Sequence, residues 1–199
     1  MRLISALLFT SVSIAAFANS GASAGSKASA ENKAAVESLD RKLSYIQQNG
    51  ALAHPNSAPT QLTEHEVNAY LASGRVRLPA GVQSLRLRGE PGVITANCRV
   101  DFDEFKAGQR SSNPLLSVFS GVHDVVVVAH AHGAGHEGFV HVDSVSLDGV
   151  EIPHFALELF VEKYIQPRYP GIGIDSRFAL PDKIDTATVG QHQLAVTQK

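Results

Sequence analysis

The stretch from Val122 to Val150, VHDVVVVAHAHGAGHEGFVHVDSVSLDGV, decides how this chain folds. Two apolar-rich runs flank the glycine-containing segment Gly133 to Gly138, the pattern of a long β-hairpin. Asp148-Gly149 closes the second run with another turn. The tip region carries four histidines, His130, His132, His136 and His141. His130 and His132 are two positions apart, so on a strand both leave the same face. If His132 lies opposite Phe139, His130 faces His141 and three imidazoles share one side of the sheet. Facing side chains stand about 4.5–5.5 Å apart at Cβ, close enough to share a metal. A one-residue slip puts His141 on the other face and dissolves the group. The spacing therefore allows a solvated polar face, a zinc or copper site at His130, His132 and His141, or a pH-dependent role set by a histidine pKa near 6.5. Glu137 and Asp143 are the nearest carboxylates.

Downstream of the hairpin, Pro153 opens a helix predicted to run through Ile165, a first-turn proline being well tolerated. It is the most hydrophobic helix in the chain and is expected against the dry side of the sheet. Phe155, Leu157, Leu159, Phe160 and Tyr164 either pack a solid core there or line an apolar cavity. Both demand the same periodicity. Pro167, Pro170, Gly171 and Gly173 then break the chain. Arg177 to Leu180, Ile184 to Val189 and His192 to Thr197 read as three short closing strands.

Upstream, Val82 to Arg88 alternates Leu85 and Leu87 against Arg86 and Arg88. Val93 to Phe102 places Ile94, Ala96, Cys98, Val100 and Phe102 on one face and Thr95, Asn97, Arg99 and Asp101 on the other. Gly89-Glu90-Pro91-Gly92 joins them as a turn. Both strands have a wet and a dry side, as antiparallel strands do. Lys106 to Asn113 is a polar loop, and Pro114 to Phe119 is an apolar bridge with no evident structure. The strongest local signal is LTEHEVNAYLA, Leu62 to Ala72. Thr63 caps a helix, Glu66 returns the bond, and Leu62 can staple onto Val67, leaving Val67, Tyr70 and Leu71 as the buried face. An earlier helix spans about Glu31 to Gln48, with Val36, Leu39, Leu43 and Ile46 in one narrow stripe. Ala51 to Thr60, with two prolines, is an extended linker.

The first residues, MRLISALLFTSVSIAAFANSGASAG, have the form of a secretory signal peptide: Arg2, an apolar stretch, then Ala16-Phe17-Ala18 or Ala22-Ser23-Ala24 as the cleavage pattern. The expected organisation is a leader over residues 1–24 (or a cut after 18), an N-terminal helix and linker over 25–60, and a single α+β domain over 61–199. The destination is periplasmic or secreted. With 44% hydrophobic and 18% charged residues, the composition is globular. A net charge of −2 argues against a nucleic-acid partner, which calls for a basic field. The single cysteine, Cys98, forms no intrachain disulfide and sits among apolar neighbours, a buried structural thiol. Asp101, Asp103 and Glu104 form a solvated acidic edge. No hydrolase elbow, phosphate loop, dinucleotide fingerprint or paired-cysteine metal motif occurs, so a catalytic role has no residues to carry it.

The order of elements resembles exported bacterial proteins of the tubular lipid-binding (TULIP-like) type, over roughly Leu62 to Val196. The resemblance is carried by the helix opener LTEHEVNAYLAS, the segment VHVDSVSLDGVEIP leading into an apolar helix, and RFALPDKI before the terminal strands. It implies strands curling around a helix with a groove for acyl chains. The fold expected is α+β: a long, curved, mostly antiparallel sheet packed on an apolar helix, with N-terminal amphipathic helices. The function expected is non-catalytic binding of a lipid or other apolar small molecule, with Phe155, Leu157, Leu159, Phe160 and Tyr164 as its lining and no cofactor. The alternatives are the histidine metal site and an envelope scaffold that engages a protein partner.

Overall fold

The computed structural model describes residues 24–106 and 114–199. The expected leader lies outside the described residues but for Ala24, as does all of the polar loop except Lys106. The architecture is a nine-stranded antiparallel sheet with a few helices, broadly the α+β class expected. In chain order the elements are α1 (Ala24–Ala51), β1 (Thr60–Thr63), α2 (Glu64–Ala72), β2 (Val82–Glu90) and β3 (Val93–Asp101). A single turn α3 (Phe102–Phe105), a 3-10 turn (Pro114–Leu116), β4 (Val122–Ala134), β5 (Glu137–Leu147) and β6 (Val150–Glu151) follow. The chain ends with α4 (His154–Phe160), which continues as a π-helical turn (Val161–Ile165), and β7 (Asp175–Ala179), β8 (Ile184–Gly190) and β9 (Gln193–Gln198).

β4 is the spine. β5 runs along one edge of it, so β3 and β8 share the other edge end to end: β3 pairs up to His130, and β8 takes over at His132 and Gly133. β9 and β1 extend the sheet beyond β8, and β7 extends it beyond β5. The tips of the β2–β3 and β8–β9 hairpins meet where β3 stops. There Gly92 donates to Val189 O and His192 donates to Gly89 O. A side chain at Gly89 would stand 3.1 Å from Gly190 O, so the two hairpin tips approach closely there.

The β4–β5 hairpin turns at Gly135-His136, both at positive φ (60° and 65°), the geometry of a tight hairpin turn. Its tip takes the register that sets His130 opposite His141 and His132 opposite Phe139. Beyond it a β-bulge inserts Asp143, and Val128 pairs with Ser144 instead. The bulge reconciles two parities. Val140 and Val142 turn inward on one side of it, Val145 and Leu147 on the other, while His141 stays outward.

Two apolar clusters flank the sheet. One gathers Val100, Phe102, Phe119, Val125, Val145 and Leu147 with Ala156, Leu157, Phe160, Val161 and Tyr164. The other gathers Val36, Leu39, Leu43 and Ile46 of α1 with Leu62, Tyr70, Ile184 and Val196. Leu39 and Ile46 have no exposed surface, so α1 is integral to this second core. The short strand β1 forms because Thr60 to Thr63 pairs with Gln193 to Val196 of β9, a contact far away in sequence. Burial pushes the Cys98 thiol up to about 11, as its apolar setting implies.

α2 begins as the sequence dictates. The Thr63 hydroxyl accepts from Glu66 N, and the Glu66 carboxylate accepts from Thr63 N at 2.8 Å. Glu66 also accepts from Ser38 Oγ (2.6 Å) and Lys42 Nζ (2.7 Å), joining α2 to α1. Arg75, just past α2, pairs with Asp40 of α1. The acidic run after β3 has local work as well. Asp101 caps α3 by accepting from Asp103 N and Glu104 N, and Asp103 accepts from Gly121 N.

α2 also shields the β2 edge of the sheet. The Asn68 side chain donates to Leu87 O and accepts from Leu87 N, the pair of bonds a neighbouring strand would make. Glu64 accepts from Gly89 N. These outward backbone groups of β2 are thus already satisfied, which blunts an edge that would otherwise recruit another strand.

Candidate functional site

The residues singled out on α4 are divided by the fold. Leu157, Phe160 and Tyr164 are buried, Leu159 is half-buried and Phe155 is 53% exposed. Phe160 stacks among Phe119 (ring centroids 4.2 Å apart), Phe102 (5.6 Å), Phe105 (5.9 Å) and Tyr164 (5.2 Å). That aromatic packing is a filled core. None of these five residues lines the cavities described next.

The apolar hollow of the molecule lies at its other end, between α1, α2 and the inner face of the sheet. It has a volume of about 110 Å³. Leu39 and Leu43 of α1 form the roof, Val67 and Leu71 of α2 one wall, and Leu87, Ile94 and Leu194 the floor. A second hollow of about 60 Å³ lies under Phe178, Leu180 and Ile184 and shares Ile94, Val189 and Leu194 with the first. Together they trace an apolar groove along the inner face of β3, β8 and β9. Glu64 stands at its rim, accepting from Gly89 N (3.0 Å) and paired with His192 Nδ1 (2.7 Å). Burial works against ionising Glu64, but His192 and the Gly89 amide outweigh it and hold the carboxyl below its ordinary value.

A wider space of about 830 Å³ lies between α2 and β2, lined in part by Asn32, His65, Asn68, Gln83 and Arg86. Its lining is mixed, with Leu71, Val76, Leu78 and Leu85 beside those polar side chains. The smaller hollow is lined almost wholly by apolar side chains.

On the outer face, the three imidazoles proposed as ligands share one side of the sheet but have separate partners. His130 Nδ1 meets both oxygens of Asp143 at 2.8 Å, and His141 Nδ1 meets Asp175 at 2.6 Å. His132 lies flat on Phe139, with ring centroids 4.9 Å apart, and Arg177 sits on the same phenyl ring at 5.1 Å. His136 at the turn engages Ile184 O. Among the described residues, no three His, Cys, Asp or Glu side chains stand together as a ready-made metal site.

The sequence carried a partial signal for the groove. The Leu39/Leu43 stripe and Leu87 are periodic, but nothing local says that helix, strand and terminal hairpin converge on one hollow. No helix among the described residues is long and apolar enough to cross a membrane. Comparison with protein-family models, with curated proteins and with solved structures finds no match.

Proposed function

We propose that this chain is an exported, non-catalytic protein of the bacterial envelope that holds a lipid-like apolar ligand between its N-terminal helices and its sheet. The observation that carries this reading is the apolar hollow itself. An apolar recess of this kind favours an apolar guest, because seating one removes the apolar surface of both from water. The volume is also below the roughly 300–1,000 Å³ of a drug-sized site. The occupant is therefore a single alkyl chain or ring, not a two-chain lipid.

In this reading the curved sheet packs on the apolar helix α4 at one end, and the amphipathic helices α1 and α2 roof the groove at the other. The resemblance to tubular lipid-binding proteins implies a groove for acyl chains beside the apolar helix; the reading here keeps the apolar ligand but seats it under α1 and α2. Export follows from the leader-like first residues. The test is mass spectrometry of an organic extract of natively purified protein. A single-chain amphiphile near one equivalent, lost when Val67→Phe fills the hollow, supports the reading. Clean extracts from well-folded protein, taken from cells rich in such lipids, overturn it.

A further inference from the structure

We propose that the outer face of the β4–β5 hairpin binds a borderline divalent transition metal, copper or zinc, through His130 and His141. Asp143 and Asp175 are the carboxylates that orient the two rings. This site lies on the face opposite the apolar groove and does not depend on it.

The hairpin register makes His130 and His141 direct cross-strand neighbours. Such pairs stand about 4.5–5.5 Å apart at Cβ, within the span that two imidazoles bridge when each reaches a metal at ~2.0–2.1 Å. The bulge at Asp143 creates this arrangement, because it keeps His141 outward while the rest of β5 keeps its apolar side inward. Both rings are well exposed, at 62% and 53% of their side-chain surface.

The decisive feature is which nitrogen is occupied. An ionised carboxylate only accepts hydrogen bonds, so Asp143 and Asp175 fix the proton on Nδ1 of each ring. Nε2 then carries the lone pair on each of these two exposed rings. That is the tautomer that leaves Nε2 to a metal, with the carboxylate fixing the orientation of the ring. The other carboxylate-paired histidines among the described residues are not arranged this way. His123 uses both nitrogens, on Asp148 and on Ser120 O. His192 has its Nε2 on Gln191, and His154 turns its Nε2 toward Glu158. His132 shares the face but is stacked on Phe139. The donor set is thus two imidazoles, with water completing the coordination. Two nitrogen ligands select copper over zinc by the usual affinity order and exclude magnesium and calcium, which prefer oxygen.

The experiment is calorimetric titration of the untagged full chain with Cu2+, Zn2+ and Mg2+, with electron paramagnetic resonance of the copper form. The expected result is one equivalent of Cu2+ bound more tightly than Zn2+, no Mg2+, and nitrogen couplings from two imidazoles. The double variant His130→Ala/His141→Ala is substituted only at exposed positions and loses this site. Asp143→Asn/Asp175→Asn keeps it but binds about 10–100-fold more weakly. His132→Ala binds as the wild type does. No copper uptake, uptake unchanged in the double histidine variant, an unchanged affinity in the asparagine variant, or a loss in His132→Ala as large as in His130→Ala would each overturn the assignment.

Discussion

Replacing Glu66 by Gln tests how the roof of the groove is held. The Glu66 side chain is 10% exposed and the Lys42 side chain 30% exposed, and their charged groups meet at 2.7 Å. Burial opposes ionisation of Glu66, but the bonds from Lys42, Ser38 and Thr63 outweigh it and bring the carboxyl from 4.5 down to about 2. At ~1.4 kcal/mol for each tenfold change in proton affinity, that corresponds to about 3 kcal/mol favouring the ionised, folded form. Lys42 is partly in water, so screening reduces the figure to about 2 kcal/mol. Glutamine preserves the shape and one acceptor but not the charge. The melting temperature at neutral pH is therefore expected to fall by about 4–8 °C in a chain of this size. The pH profile supplies the sign. The depressed carboxyl contributes fully above pH 4.5, and its contribution is lost as the pH falls toward 2. Wild-type protein loses this stability on acidification through that window, whereas Glu66→Gln has none of it to lose there. Thermal melts of both proteins at closely spaced pH values read the difference. A variant within a degree of wild type at pH 7, or two parallel acid limbs, would refute the reasoning.

Other perturbations follow from the same geometry. Asn68→Ala strips the shield from Leu87 N and O, costing about 1–2 kcal/mol in denaturant titration and giving concentration-dependent association by light scattering. Gly138→Ala drives a Cβ to 2.5 Å from the Phe178 ring, and overpacking of this kind costs about 1–3 kcal/mol, read as a lower unfolding midpoint. His123 is held above its usual 6.5 by its bond to Asp148, then by the Ser120 carbonyl. Its stabilisation is complete below pH 6.5 and declines as the pH rises through the raised value, so Asp148→Asn should flatten that decline in pH-dependent unfolding.

The elements most legible in the sequence are those fixed locally. The capping box at Thr63 and Glu66 forms as its spacing dictates, and the alternation of β2 and β3 sets Leu85, Leu87, Ile94 and Cys98 inward. The β4–β5 hairpin is explicit in its valines and glycines. Its register was not, because Val140 and Val142 argue for one parity and Val145 and Leu147 for the other. Only the bulge at Asp143 satisfies both, and a bulge leaves no fixed residue signature. The same limit explains β1, which spans the end of the expected linker and the start of the capping signal and becomes a strand only by pairing with β9. It also explains Glu66, whose partner Lys42 is 24 residues away. The groove was the least legible feature. α4 is the most apolar helix and draws attention to itself, yet its large side chains fill their own space with Phe102 and Phe119. The hollow opens instead where the narrower stripe of α1 crosses the meeting point of two hairpins.

Binding of a fluorescent single-chain fatty acid, cis-parinaric acid, tests the central claim most directly. Wild-type protein is expected to bind it saturably at one equivalent with a blue-rich, apolar emission. Val67→Phe and Leu194→Phe, verified as folded by circular dichroism, should abolish that signal, while Phe155→Ala on the distant helix should not change it. Equal binding by the wild type and both filled variants, or no saturable binding by any of them, would contradict the account.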